Sequence, residues 1–291
     1  MRARRCYDLK WGRYSLALGR RTCLMGVVNV TPDSFSDGGK FLTRDAAIAQ
    51  ALRLAGEGAD IIDIGGESSR PYAAPVPVDV ELERVIPVIE TLAPRLAVPI
   101  SIDTVKAAVA RRALAAGAAM INDISALRQD PEMAGVVAAS GVPVILMHML
   151  GTPQTMQARP AYDDVVGEIK TFLEGAVHEA ENNGIPRNRI VIDPGIGFGK
   201  TADHNLSLLK HLDRLQDLDL PLLIGPSRKA FIRHLLKDDP AEEIQPDTAI
   251  VGIGTLAAVC AAVLNGAHIV RVHEIDAVRA AAKISDAILE A

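Results

Sequence analysis

Cysteine is scarce in this chain: Cys6, Cys23 and Cys260 stand far apart, outside any Cys-x-x-Cys or histidine-rich setting. An odd, scattered set excludes a disulfide framework and a cysteine-held metal, and reads as three buried reduced thiols. Long apolar runs are also missing. No stretch of about 18 uncharged apolar residues occurs, and the first residues lack the apolar core of a signal peptide, so a soluble cytoplasmic protein without membrane contact is expected. Positive charge is not in excess either. Lys and Arg number 31 against 36 Asp and Glu, a formal charge of −5, and the signs are interspersed, which excludes a basic face for a nucleic-acid backbone. Arg2, Arg4 and Arg5 read as a solvated tail. No linker-like segment divides the 291 residues, and α/β barrels of about 250 residues form single domains.

What is present is alternation. Short β-branched runs at 23–29, 60–65, 99–103, 119–123, 143–149, 190–193, 221–225 and 268–272 read as strands. Between them, amphipathic segments at 45–57, 79–93, 105–116, 131–140, 163–183, 203–216, 247–265 and 276–289 read as helices. Repeated βα units with eight parallel strands predict a closed (β/α)8 TIM barrel over 23–291, in one domain spanning 1–291. Asp45, Asp79, Asp203, Asp247 and Asp276 are placed to serve first helical turns, and Gly58, Gly117, Gly141, Gly184 and Gly266 to stop helices. Residues 1–22 read differently: apolar alternation in Tyr14 to Leu18 after Trp11-Gly12 predicts an N-terminal β-hairpin that closes the barrel floor.

In such barrels chemistry sits at the strand C-termini. Asn29, Asp63, Asp103, Asn122, His148, Asp193, Ser227 and Arg271 all fall at or just beyond a predicted strand end. Several charges buried there without partners would cost kilocalories each, so a convergent polar cleft is expected. Taken singly, Asp193 before Pro194-Gly195 is a turn residue, and Asp103 is an N-cap for a helix starting near Val105.

Seven motifs occur in order: MGVVNVTPDSFSDGG at 25–39, GGESSRP at 65–71, SIDT at 101–104, INDI at 121–124, DPGIGFGK at 193–200, SRK at 227–229 and RVHE at 271–274. This series resembles the dihydropteroate synthase family of pterin-binding enzymes, from Cys23 to the end. The resemblance implies a transferase of folate biosynthesis that joins a dihydropterin methyl diphosphate to para-aminobenzoate. It also implies inhibition by sulfonamides, dependence on magnesium, and a homodimer to which the apolar helix at 247–265 contributes. Matched position by position, it implies that Asp103, Asn122, Asp193, Lys229 and Arg271 bind the pterin, with Asp103, Lys229 and Arg271 catalytic. Asn29, Ser69, Arg70, Arg271 and His273 correspond to the diphosphate site. Phe35, Ser69, Pro71, Phe198 and Ser227 correspond to the aminobenzoate site, and Asn29 and Asp37 to the magnesium-linked positions.

Each residue type suits its implied role. A carboxylate accepts two parallel N–H bonds from an aminopyrimidinone, guanidinium is planar enough to stack, and Arg271 and His273 share a strand face. A hard cation takes few protein oxygens and completes its shell with phosphate and water.

Two glycine patterns point elsewhere and fail on spacing. Gly195, Gly199 and Lys200 fall one residue short of a phosphate-binding loop, and GIGTLA at 252–257 follows a helix start, not a strand. The chain also departs from the family pattern: Ser69 replaces the usual threonine, Tyr72 a glycine and Ala230 a serine, with Pro226 before the SRK motif. A pterin-binding family member without synthase activity and a pterin-dependent methyltransferase are the rival readings. The first is separated by product formation, the second by the first-loop signature, which this chain keeps.

Overall fold

The alternation in the first 22 residues does form a hairpin. The computed structural model describes residues 4–31, 40–239 and 241–291. In it β1 (Tyr7–Trp11) and β2 (Tyr14–Leu18) pair antiparallel, with Trp11 opposite Tyr14. Leu9, Trp11, Leu16 and Leu18 are buried while Asp8, Lys10, Ser15 and Ala17 face water. The buried face packs on Met25, Ile61, Met120, Ile145, Val191 and Ile269, inward side chains from successive barrel strands. Trp11 Nε1 donates to Ala119 O at 2.6 Å. Burying each such side chain stabilises by roughly 1.5–3 kcal/mol, and this holds the hairpin as the barrel floor.

The barrel strands are β3 (Cys23–Asn29), β4 (Ile61–Gly65), β5 (Ile100–Asp103), β6 (Met120–Asp123), β7 (Val144–Met147), β8 (Ile190–Asp193), β9 (Leu223–Ile224) and β10 (Ile269–Val272). They are parallel and pair in the ring order β8-β7-β6-β5-β4-β3-β10-β9. A parallel bridge between Ile192 and Leu222 joins the two ends. Strands covered on both faces read as continuous apolar runs, and β4, β7 and β8 are buried at every position. A polar residue inside such a run therefore needs a partner from another strand, which is what builds the site.

Around the ring lie α1 (Lys40–Gly56), α2 (Val78–Leu92), α3 (Ala107–Ala115), α4 (Met133–Ser140), α5 (Val165–Asn182), α6 (Ala202–Lys210), α7 (Ala230–Leu235), α8 (Ala249–Leu264) and α9 (Ile275–Glu290). Several sequence expectations need correction. The segment predicted as one helix over 203–216 is α6 followed by a separate 3-10 turn, Leu212–Leu218. α7 has six residues, too short to leave a periodic pattern, and was not predicted. α1 runs back to Lys40, because nothing downstream of the breaker pair Gly38-Gly39 interrupts a helix, so Asp45 lies inside it. Asp79, Asp203 and Asp276 do occupy first turns, whereas Thr248 and not Asp247 is the cap residue of α8. The five predicted helix-stop glycines all adopt positive φ. Only Cys23 of the free cysteines is buried, and Cys6 is exposed.

Arg4 is no solvated tail. Its guanidinium donates to Gly19 O, Thr22 Oγ1, Ala267 O and, at 2.8 Å, Asp286, with only 4% of its side chain exposed. Among the described residues no helix is long and apolar enough to cross a membrane.

Candidate active site

The barrel register sets the polar residues side by side. Asp103 stands opposite Gly65 on β4 and Asn122 on β6, while Asp193 ends β8 opposite Met147. Arg271, on β10, spans the slot between these strand ends. Its Nε donates to Asp63 Oδ2 at 2.6 Å and its Nη2 to Asp103 Oδ2 at 2.7 Å. One edge of a planar guanidinium thus bridges two carboxylates, which fixes the plane of the group. Asp63 Oδ2 also accepts from Asn122 Nδ2 at 3.2 Å, so the amide oxygen of Asn122 is turned to the slot.

Sequence reasoning noted Asp63 as a strand-end polar group but gave it no role. It is fully buried and its Oδ1 has no partner. The signal was there: a single charge inside the apolar run Ile-Ile-Asp-Ile-Gly has to be paired across the barrel. Asp103, by contrast, does not cap α3. The Ala107 N–H goes to Asp130, and the Asp103 carboxylate is committed to Arg271. Burial pushes the Asp103 carboxyl up; Arg271 pulls it back, and Asp63, Glu81 and Asp123 add to the rise.

Asp193 is both turn residue and slot residue. Its Oδ1 accepts the Gly195 N–H at 2.7 Å while the carboxylate lines the slot with Asn122, Lys229 and Arg271. Burial raises its pKa to about 6, against the Gly195 N–H and the charges of Lys229, Lys200 and Arg271. The loop that follows is tied down group by group. Gly197 N donates to Asn205 Oδ1, Gln157 Nε2 to Gly197 O, and the Tyr162 hydroxyl to Gly199 O. Gly195 has φ +70°, and a Cβ there would lie 2.0 Å from His148 O, so only glycine fits. Lys200 points inward, 3% exposed, with Nζ 3.0 Å from His148 Nδ1 and 2.9 Å from Phe198 O. It supports this loop from below, which agrees with rejecting a phosphate-loop reading; burial lowers its pKa to about 7. Phe198 itself lies under Lys229, whose Nζ is 3.8 Å from the ring centroid.

Cations gather at the next rim. His273 is held neutral, its pKa lowered to about 3 by burial and by Arg228, Arg271, Lys229 and Arg70. Its Nδ1 is 2.9 Å from Ser227 Oγ, which also takes the His273 N–H at 3.4 Å. Ser227 then donates to Nδ1, a tautomer assigned from this network, and leaves His273 Nε2–H to donate outward. A neutral donor among several cations suits an anion of multiple charge. The Ser227 hydroxyl, expected toward aminobenzoate, is thus turned to His273. Burial lowers Lys229 to about 8, with Arg271 adding to the fall.

The second loop crosses this mouth. Ser69 lines the slot, Arg70 and Pro71 are exposed, and Tyr72 takes a left-handed φ of 65° with its N–H on Pro153 O. A second cavity, about 320 Å³, lies beside the slot between the loops after β4 to β7. The polar groups converge on the smaller slot of about 20 Å³, and the two share Ser69, Asp103 and Ile124. We place the chemistry in the slot, because convergence of charge and not volume distinguishes it. Phe35 and Asp37 lie outside the described residues. Asn29 ends β3 opposite Gly65 at the root of the second loop. No cluster of three or more His, Cys, Asp or Glu suited to a metal occurs among the described residues. Asp123 of the INDI motif is structural. It accepts Ser125 N–H, Ser125 Oγ–H and Leu127 N–H, and so shapes the turn in which Ala126 and Leu127 have positive φ.

Residues 25–273 match the family model described as pterin binding enzyme. The dihydropteroate synthase of Synechocystis sp. is 48% identical over 271 residues, which are 93% of this chain and 91% of that protein. A solved structure of Xanthomonas albilineans dihydropteroate synthase with 4-aminobenzoic acid is 49% identical at a TM-score of 0.87, covering 95% of this chain and 96% of that one. A Yersinia pestis dihydropteroate synthase in a sulfonamide drug complex is 42% identical at a TM-score of 0.89, covering 97% and 99%.

Proposed function

The chain belongs to the pterin-binding enzyme family, among its dihydropteroate synthases, and from that premise we propose how this cleft divides the work of the reaction. The enzyme is a transferase. It joins 6-hydroxymethyl-7,8-dihydropterin diphosphate to para-aminobenzoate, giving 7,8-dihydropteroate and pyrophosphate.

The observation that carries our assignment of residues is the continuity of the acidic slot with the cationic rim through one side chain, Arg271. The pterin enters the slot. Asp193 accepts its paired N–H groups, the Asn122 amide oxygen accepts another, and Lys229 donates from its place over Phe198. Arg271, held flat by Asp63 and Asp103, lies against the ring and turns its charge toward the diphosphate.

At the methylene carbon the C–O bond to diphosphate breaks first, leaving positive charge on the carbon; the arylamine then attacks to form the C–N bond, and the amine proton passes to solvent. An arylamine is largely uncharged at neutral pH, so no dedicated base is needed. Asp103 stands where negative charge stabilises developing positive charge at that carbon. Arg70, Arg271, Ser69 and the outward N–H of His273 receive the leaving group. Phe198, Pro71 and Ser69 line the aminobenzoate pocket, Ser227 by its place on the rim and not by its hydroxyl, which His273 holds; Phe35 would complete it, and sulfonamides would enter in place of the aminobenzoate. Asn29 with Asp37 would hold magnesium: one neutral amide oxygen at the loop root fits a hard cation that otherwise takes phosphate and water oxygens, and its charge would offset that of departing diphosphate.

We further propose a homodimer in the cytoplasm. Ile250 and Ile253 on α8 and Leu235 on α7 are 46%, 61% and 51% exposed, an apolar surface that a second copy would cover. Sedimentation equilibrium tests this, and a monomer at micromolar concentration would refute it.

Incubating pure protein with the pterin diphosphate, para-aminobenzoate and magnesium should release pyrophosphate and form dihydropteroate. Excess chelator should stop release. Undiminished turnover in chelator removes magnesium from this reading, and absence of product with every component present removes the assignment itself.

A further inference from the structure

The second loop exposes Arg70, Pro71 and Tyr72 at its tip, where the Tyr72 N–H rests on Pro153 O, and the rest of its placement over the slot is set from its root. Two ties exist there. Gly66 packs flat against α2, where an added Cβ would come within 2.7 Å of Val85, and its carbonyl accepts from Arg84 Nη1 at 2.7 Å. Glu67 then reaches across to Lys106, at the N-terminus of α3, whose Nζ touches both the Glu67 and the Glu81 carboxylates. Glu81 is fully buried in α2 and its Oε1 has no partner. Burial opposes the charge of Lys106, yet its bonds to Glu67 and Glu81 hold its pKa above the ordinary value.

One ammonium therefore joins three pieces: the root of the second loop, the buried face of α2, and the segment that begins at Asp103. Glu67 and Glu81 both line the cavity beside the slot. Replacing a buried ion triad with apolar groups is often neutral or stabilising, so such a triad contributes geometry more than net stability.

We infer that Lys106 is a positioning residue for the reaction: by holding Glu67 against the buried Glu81, it keeps the loop bearing Ser69, Arg70 and Pro71 in the placement that receives aminobenzoate. The two bonds of Lys106 are separable. Glu67 keeps 21% of its side chain exposed, whereas Glu81 keeps none, so cutting the Glu67 bond leaves the core pair intact. This inference rests on the reading of the cleft given above.

The test uses the full chain with Glu67→Ala and Lys106→Arg. Pterin affinity is measured by calorimetry, the aminobenzoate KM and kcat by pyrophosphate release, and the melting temperature by scanning. Glu67→Ala should bind a hydroxymethylpterin within about twofold of the wild type and melt with it, while its aminobenzoate KM rises about tenfold, as when the competent fraction of the loop falls to a tenth. Lys106→Arg, which keeps both ion pairs, should stay near the wild type. An unchanged aminobenzoate KM in Glu67→Ala would overturn the inference. So would parallel losses of pterin affinity and melting temperature in both variants, since the triad would then be ordinary core. If the wild type binds no pterin, the reading of the cleft fails first and takes the inference with it.

Discussion

Asp63 is the residue through which the slot's geometry can be tested most sharply. One oxygen, Oδ2, accepts from both Arg271 Nε at 2.6 Å and Asn122 Nδ2 at 3.2 Å, and the other is buried without a partner. In Asp63→Asn the amide oxygen can keep both bonds, so the geometry survives while the charge is lost. The Arg271 bond then loses the carboxylate's charge but keeps that of the guanidinium, so it weakens from an ion pair to a charge–neutral bond. Two N–H donors also come to rest where an unpartnered oxygen was, at about 1–3 kcal/mol. Relief of the buried charge offsets part of this, and Asp103 still anchors Arg271, so the net loss should be about 1–3 kcal/mol. Asp63→Leu keeps neither bond and strands two buried donors; it should cost more, about 3–5 kcal/mol. Because the same contacts set Arg271 and Asn122, pterin affinity should fall in the same order, about tenfold per 1.4 kcal/mol. Urea unfolding gives the first quantity and pterin calorimetry the second. Wild-type stability and affinity in Asp63→Asn, or equal losses in Asn and Leu, would refute the reasoning.

Burial raises Asp193 to about 6 and lowers Lys229 to about 8. The carboxylate exists above the first value and the ammonium below the second, so kcat/KM for the pterin diphosphate should rise through ~6 and fall through ~8, with Lys229→Gln lacking the upper limb. A profile flat from ~5 to ~9 contradicts this. Stability runs the other way: the buried ammonium of Lys229 is disfavoured, so stability should grow as pH climbs from about 8 toward the ordinary 10.5. Gly195→Ala puts a Cβ 2.0 Å from His148 O at a φ of +70°, which should cost about 3 kcal/mol or more in urea unfolding; an unmoved midpoint speaks against the loop geometry. Trp11→Phe leaves Ala119 O without its donor, which should lower stability by about 1–3 kcal/mol while kcat holds, because the floor is remote from the slot. A fall in kcat without a fall in stability would count against that separation.

Legibility in the sequence followed the range of the physics. Strands were readable because β-branched runs buried on both faces are a local signal, and the residues at their C-terminal ends followed from the barrel alone. The pterin and diphosphate residues needed long, specific motifs, since an aspartate before Pro194 or a lysine after Arg228 says little by itself. Pairings across the ring were not readable: Arg271 with Asp63 spans 208 residues and Lys106 with Glu67 spans 39. No local pattern announces which charges will meet. Arg4 failed for the same reason, two of its four partners lying more than 260 positions away. Ser227 shows a different limit, because a hydroxyl can turn to either of two sites and only the position of His273 decides.

The floor hairpin carries a consequence for the order of events in synthesis. Its segment is made before the barrel, yet Arg4 finds two of its acceptors in Ala267 and Asp286, and the apolar face of the hairpin needs Ile269 of β10. On a ribosome adding about 5–20 residues each second, the hairpin waits roughly 10 to 50 seconds with Leu9, Trp11, Leu16 and Leu18 incompletely covered. A lone two-stranded hairpin is marginal in water, so over that interval these side chains are a transient sticky surface. The last strand does more than close the ring, for its arrival is also what lets the earlier-made segment settle.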